Sequence, residues 1–155
     1  MTKVSLGKTI PEFKGRITND LIIKFSDYKG QNIVIYFYPK DNTPGCTKEG
    51  EDFRDYFADF KKNNTIIIGV SRDSVASHDK FTCKYNFPFQ LISDEDEKVC
   101  KLFDVIKEKN MYGRKYMGIE RSTFLINHEG TLVNEWRKVR VKGHVEKVLE
   151  ALNEL

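Results

Sequence analysis

The chain predicts an α/β fold, with a mixed sheet layered between helices, on three observations. Hydrophobic periodicity switches repeatedly between strand-like and helix-like along its 155 residues. Short β-branched and aromatic runs alternate with amphipathic stretches, as strands joined by crossover helices do. A glycine-containing turn between two late strand-like runs adds a hairpin, so the sheet is not wholly parallel.

In chain order, "LIIKF" (21–25) and "NIVIYFY" (32–38) read as strands. From Thr43 the period becomes helical, with Phe53, Tyr56, Phe57 and Phe60 on one face and an end near Asn63-Asn64. "TIIIGV" (65–70) is a short apolar run suited to a strand buried on both faces. A helix follows from Ser74 to Tyr85, and another over 95–106 places Val99, Leu102, Phe103 and Ile106 at helical spacing. "STFLIN" (122–127) and "TLVNEW" (131–136) form a hairpin through "HEG". His144–Leu155 closes the chain as a helix with Val145, Val148, Leu149 and Leu152 as its apolar stripe.

Composition excludes several classes. Hydrophobic residues are 39% and charged residues 32%, with no repeat or linker, so residues 1–155 read as one domain. No apolar run approaches the ~20 residues that span a bilayer, and "MTKVSLGKTIPEF" lacks a secretory pattern. A reducing, cytoplasmic setting is expected. The net charge of +3 points to no particular partner. "WRKVRVK" (136–142) is the most basic stretch and reads as a strand with a solvated basic face, the alternative being contact with phosphates. The three cysteines, Cys46, Cys83 and Cys100, are too far apart in sequence for a zinc pair or a CxxC motif, and neither metal nor cofactor is expected.

Cys46 lies in "PKDNTPGCTKEG", where a strand hands over to a helix. Thr43 followed by Pro44 is a helix start, with the hydroxyl placed to cap an orphan N–H and proline at the first helical position. Cys46 then stands third in the helix, where unpaired N–H groups and the helix dipole favour an anion. Glu49, Glu51 and Asp52 oppose this by repulsion, and Lys40, Lys48 and Arg54 are the local cations. On placement alone, a reactive and a buried structural cysteine are equally compatible with the pattern.

At these residues the sequence resembles the peroxiredoxins. Pro39, Thr43 and Cys46 reproduce Pro-x-x-x-Thr-x-x-Cys, and "YFYPKDNTPGCTKEG" is similar to the bacterioferritin comigratory protein, or peroxiredoxin Q, branch. "LISDED", "CKLFDVIKEKNMYG" and "GIERSTFLI" match segments of that branch in the same order, across nearly the whole chain. The resemblance implies a thioredoxin-like three-layer sandwich and a thiol peroxidase acting on hydrogen peroxide and organic hydroperoxides. It implies that Cys46 is the peroxidatic cysteine, that Pro39 shields it, and that Thr43 hydrogen-bonds peroxide and thiolate, acting among the donors to the departing oxygen. It implies that Arg121 is the active-site arginine, against a surface pairing with Glu120 or Glu135. Thioredoxin as reductant, and a monomer, are implied in the same way.

The sequence departs from the branch at the resolving cysteine, the second thiol that converts sulfenic Cys46 to a disulfide. Where many members carry it, five residues after Cys46, this chain has Glu51. Another subset carries it on the following helix at a position matching Thr82, and Cys83 is one residue later. On a helical wheel Cys83 falls opposite Val75, Phe81 and Tyr85, on the solvent face beside Lys80 and Lys84. The expectation is an exposed Cys83 that resolves Cys46 after local unwinding, with a one-cysteine mechanism using an external thiol as the alternative. Cys100, at the edge of an apolar stripe, is expected to be a packed structural thiol. A thioredoxin-type oxidoreductase would need a second cysteine where Glu49 stands. A binding module using the basic stretch near Arg140 would consume no peroxide.

Overall fold

The structure, a computed structural model, describes residues 3–155. Its backbone centres on β3 (Asn32–Phe37), whose alternating side chains are buried on both faces. Ile33, Ile35 and Phe37 enter one core, and Val34 and Tyr36 the other. A strand enclosed in this way reads as a continuous apolar run, and each fully buried large side chain contributes roughly 1.5–3 kcal/mol.

Around β3 lie β4 (Thr65–Ser71), parallel to it, and β8 (Ser122–Ile126), antiparallel. With β1 (Lys14–Arg16), β2 (Ile22–Lys24), β5 (Gln90–Ser93) and β9 (Leu132–Trp136) they make a seven-stranded mixed sheet ordered β2-β1-β5-β4-β3-β8-β9. One face is covered by α1 (Pro44–Asp55), α2 (Phe57–Lys62), α3 (Val75–Tyr85) and α5 (His144–Asn153), which bring Phe53, Phe60, Phe81, Val145, Val148 and Leu152 into a single cluster. The other face packs against α4 (Lys98–Leu102) and its flanking loops through Val99, Leu102, Phe103 and Val105. The predicted layered α/β sandwich is the observed architecture.

Several elements differ from the sequence reading. The helix from Pro44 breaks at Tyr56 (φ −98°, ψ 7°), giving α1 and α2 in place of one helix, although Phe53 and Phe60 both reach full burial as the periodicity requires. The helix expected over 95–106 shrinks to the five residues of α4, because Asp104 turns left-handed (φ 56°) and the Val105 N–H doubles back to the Cys100 carbonyl. Ile106 instead opens a two-stranded arm, β6 (Ile106–Met111) and β7 (Arg114–Ile119), turning at Tyr112-Gly113 with both residues at positive φ. That pair of conformations is the hairpin turn whose twist matches its strands. The basic stretch 136–142 is not a strand beyond Trp136. Lys138 takes φ 51°, and Arg137 is spent internally, donating to the Phe103 and Asp104 carbonyls and lying over the Phe124 ring.

His144, the first residue of α5, is buried against the sheet, with Nε2 2.7 Å from the Thr123 hydroxyl and Trp136 packed edge-on to its ring. Burial, with help from Lys147 and Arg121, lowers its pKa to about 4 from the ordinary 6.5. Because the folded value lies below the unfolded one, this group's contribution is complete above pH ~6.5 and is lost as pH falls toward 4, by about 3 kcal/mol at ~1.4 kcal/mol per unit. Urea unfolding at pH 7 and pH 4.5 checks this. His144→Gln, which keeps an acceptor for Thr123, should lose about 2–3 kcal/mol less than wild type between those pH values.

Candidate active site

The parallel strands β3 and β4 end at the same edge, and β3 feeds α1 across the loop 38–43, so the start of α1 lies at the carboxyl end of the sheet. Thr43 is the N-cap residue in extended conformation and Pro44 takes the first helical position, as the sequence predicts. The Thr43 hydroxyl does not cap the helix. It donates instead to the Lys40 carbonyl at 2.9 Å, closing the turn that carries the chain into α1. The sequence reading expected that hydroxyl to donate within the site; here its proton goes to the Lys40 carbonyl, which leaves the oxygen's lone pairs free to accept. Pro39 lies half-buried at the start of the same loop.

Cys46 stands third in α1 and is 2% exposed, within the cluster that holds Tyr36, Tyr38 and Phe53. Its placement at the helix start is as read from sequence, but the sulfur is buried, not open at the surface. Arg121 arrives from the two-residue connection between β7 and β8. Ser122 pairs with Phe37 at the end of β3, and the Val139 N–H holds the Arg121 carbonyl at 3.0 Å, so the residue is delivered beside the loop leading into α1. One guanidinium nitrogen donates to Cys46 Sγ at 3.3 Å and the other to Glu49 Oε1 at 2.6 Å. The sulfur thus has a cation on one side and the helix N-terminus on the other.

Glu49 was a repulsive neighbour in the sequence reading, and the structure corrects this. One helical turn after Cys46, it shares that face of α1 and is fully buried. Arg121 pairs with it, not with Glu120 or Glu135. Burial raises its pKa to about 7, against the lowering effect of Arg121, and its Oε2 has no partner among the described residues. Burial also disfavours charge on Arg121, but Glu49 and Cys46 outweigh it and hold its proton more tightly than usual. The remaining acids of α1 pair with cations of the same helix, Asp52 with Lys48, and Glu51 and Asp55 with Arg54. Gly45 is the second residue that sequence reasoning missed. A Cβ there would lie 3.2 Å from the Arg121 nitrogen that bonds the sulfur, so a side chain at this position would oblige that nitrogen to shift by a few tenths of an ångström.

The other two thiols separate as expected. Cys83 is exposed near the end of α3 and Cys100 is fully buried in α4. Both oxygens of Asp94 are occupied by the Val99 and Cys100 N–H groups, and burial, reinforced by Asp94, raises the Cys100 thiol well above the cysteine range. A thiol held neutral and out of contact with solvent is a poor nucleophile, in keeping with the packed structural thiol expected at Cys100.

A helix-start cysteine bonded to an arginine from across the sheet is an arrangement for holding an anionic sulfur beside a developing oxyanion. The profile of the AhpC/TSA family matches residues 6–135. The chain belongs to that family. It is 49% identical to peroxiredoxin Bcp of Bacillus subtilis over 152 residues, 98% of this chain and 97% of that protein. To the Xanthomonas campestris peroxiredoxin Bcp it is 59% identical over 125 residues, 81% of this chain and 78% of the relative. Among solved structures, Xanthomonas campestris peroxiredoxin Q superposes with a TM-score of 0.87 at 52% identity, covering 92% of this chain and 90% of that one. A mutant of Xylella fastidiosa PrxQ gives 0.92 at 45%, covering 99% and 98%. The expected peroxiredoxin branch, the thioredoxin-like fold and the thiol-peroxidase activity are all borne out. As a peroxiredoxin, the chain reduces peroxides with electrons from a thioredoxin-type dithiol. No helix among the described residues is long and apolar enough to cross a membrane.

Proposed function

We propose that residues 1–155 act as one peroxidase domain in which Cys46 cleaves the hydroperoxide and Cys83 resolves the product. The observation that carries this reading is the single guanidinium of Arg121, bonded at once to Cys46 Sγ and to buried Glu49. The sulfur lone pair attacks the terminal oxygen in line, the S–O bond forms as the O–O bond breaks, and the charge moves to the departing oxygen. Arg121 and the N–H groups opening α1 face that charge. Thr43, whose proton is already given to Lys40, accepts from the hydroperoxide O–H and so orients it. Pro39 shields the loop side of the sulfur from water. The departing oxygen takes up a proton and leaves as water or an alcohol, and Cys46 becomes the sulfenic acid.

The thiolate of Cys83 then attacks the sulfenic sulfur, the disulfide forms and hydroxide leaves as water. Exposure of Cys83 supports this role, and the seclusion of Cys100 leaves no other thiol within the chain. Disulfide geometry demands Cα atoms within roughly 7 Å, so α1 and α3 open locally to meet. A thioredoxin-type dithiol reduces the product disulfide. The substrates are hydrogen peroxide and organic hydroperoxides, a reading supported for the latter by the similar bacterioferritin comigratory protein of Xanthomonas campestris, solved for insight into its alkyl peroxide reduction activity. The protein works as a cytoplasmic monomer without nucleic-acid or membrane partners.

Mass spectrometry of protein treated with one equivalent of peroxide tests the resolving step. A Cys46–Cys83 crosslinked peptide is expected in most molecules. A sulfenic or sulfinic Cys46 with free Cys83 would mean that an external thiol does the resolving.

A further inference from the structure

The loop that delivers Cys46 is fastened to the helix that carries Cys83. Asp41, 7% exposed, accepts from the Tyr38 hydroxyl at 2.6 Å through Oδ1, and Oδ2 meets the Ser77 hydroxyl at 2.8 Å and His78 Nδ1 at 2.7 Å. His78, 3% exposed, reaches across α3 to place Nε2 3.0 Å from the Ile92 carbonyl of β5. The Asp41 N–H donates to Asp73 in the turn before α3, and Asp73 is held in turn by the Ser71 hydroxyl. Next along the loop, Asn42 accepts from Lys84 and from the Tyr85 hydroxyl on the last turn of α3. Ser77, His78, Lys84 and Tyr85 of α3 therefore all bond to residues 41 and 42, four residues or so ahead of Cys46.

The His78 ring is held at both nitrogens. The Ile92 carbonyl can only accept, so Nε2 is the donor there, and Nδ1 closes on Asp41 Oδ2 at 2.7 Å. The pair is a short hydrogen bond between two buried side chains, each held in place by further partners. Asp41, Asp73 and His78 lie close enough to suggest a metal site, but the two carboxylates already accept from internal donors.

We propose that the Asp41–His78 contact is a latch that holds α1 and α3 in the reduced conformation and thereby sets how long sulfenic Cys46 persists before Cys83 reaches it. The proposal rests on the reading of Cys83 as the resolving thiol. The latch acts on the opening step alone; the chemistry that follows is the thiol attack and water loss already described. Its consequence is a choice between fates, since a sulfenic acid that waits longer is more exposed to a second peroxide and to irreversible oxidation to the sulfinic acid.

His78→Leu, which fills the space but bonds to neither Asp41 nor Ile92, is the first test, and Asp41→Asn, which keeps the shape and the acceptor for Tyr38, is the second. Each is measured in the full chain in two ways. Hydrogen exchange on the reduced protein should show the amides of residues 75–85 opening about ten-fold faster in both variants. Single-turnover oxidation followed by acid quench and mass spectrometry should show the disulfide forming about ten-fold faster, and about ten-fold more peroxide needed to reach the same sulfinic fraction. Leu132→Ala, a cavity in the core on the other face of the sheet, lowers global stability as a control and should leave that partition where it was. Unchanged exchange in whichever variant folds overturns the latch, and so does faster exchange without faster disulfide formation. Absence of any Cys46–Cys83 crosslink in the wild type would instead overturn the resolving assignment, and the exchange measurement tells the two failures apart.

Discussion

Cys46→Ser should lower the rate of hydrogen peroxide consumption by at least about 10⁴-fold, equivalent to about 5.5 kcal/mol of transition-state stabilisation. The reason is chemical before it is structural. A serine hydroxyl is far less acidic and less polarisable than a thiol, and in this position it has a guanidinium and a helix start beside it but no base to take its proton. The substitution trades a buried sulfur for a slightly smaller oxygen, so the fold should hold. Urea unfolding should differ from wild type by no more than about 1–2 kcal/mol, less than the cost of truncating a large core side chain. Stopped-flow peroxide consumption with a dithiol reductant gives the rate, and residual turnover within ten-fold of wild type would mean that another group attacks the peroxide. Cys100→Ala offers the contrast. It removes a thiol that Asp94 and burial keep neutral, and it should leave turnover within about two-fold.

The local half of the site was legible in the sequence and the distant half was not. Thr43-Pro44 marks a helix start because a hydroxyl and a missing N–H both suit the first turn, and that rule placed Cys46 third in α1 without any knowledge of the fold. Helical periodicity likewise put Cys83 on the solvent side of α3, where it is found. Arg121 lies 75 residues from Cys46, and no local rule joins them; the family resemblance supplied that contact, and the β3–β8 register explains it. Glu49 was misjudged for the complementary reason. Read locally, an acid one turn after a thiolate repels it, and only the arrival of Arg121 between the two turns the acid into a support. The β6–β7 arm escaped notice because Lys107, Glu108, Lys109 and Asn110 carry no apolar alternation, and its hairpin is specified by the backbone at Tyr112-Gly113. The helix expected around Ile106 failed at Asp104, where one left-handed residue outweighed a correct 3.6-residue pattern.

Arg121→Met should lower kcat/KM for hydrogen peroxide by about 10²–10³-fold, the loss typical when one fixed donor to a developing oxyanion is removed. Methionine matches much of the length of the arginine stem, so the packing beside Gly45 is disturbed little, while both hydrogen bonds disappear. The fold is spared a buried unpaired carboxylate by Glu49 itself. Its pKa is already near 7 with Arg121 pulling it down, so without that cation it rises further and the group stays protonated at neutral pH. Arg121→Lys keeps a charge but cannot bond to Cys46 and Glu49 at once through two nitrogens of one plane, and it should recover no more than about a tenth of the lost activity. Glu49→Gln tests the other arm of the bridge. With an amide in place of the carboxylate, Arg121 keeps a hydrogen-bond acceptor but loses its anchoring charge, and the cost should be about ten-fold in the wild-type background. In the Arg121→Met background the same change should cost almost nothing, because there is no guanidinium left to orient. The cycle should therefore show a coupling of about 1–1.5 kcal/mol between positions 49 and 121. Additive effects would mean that Glu49 acts on Cys46 directly, and a small loss in Arg121→Met would place the oxyanion's stabilisation in the helix start alone.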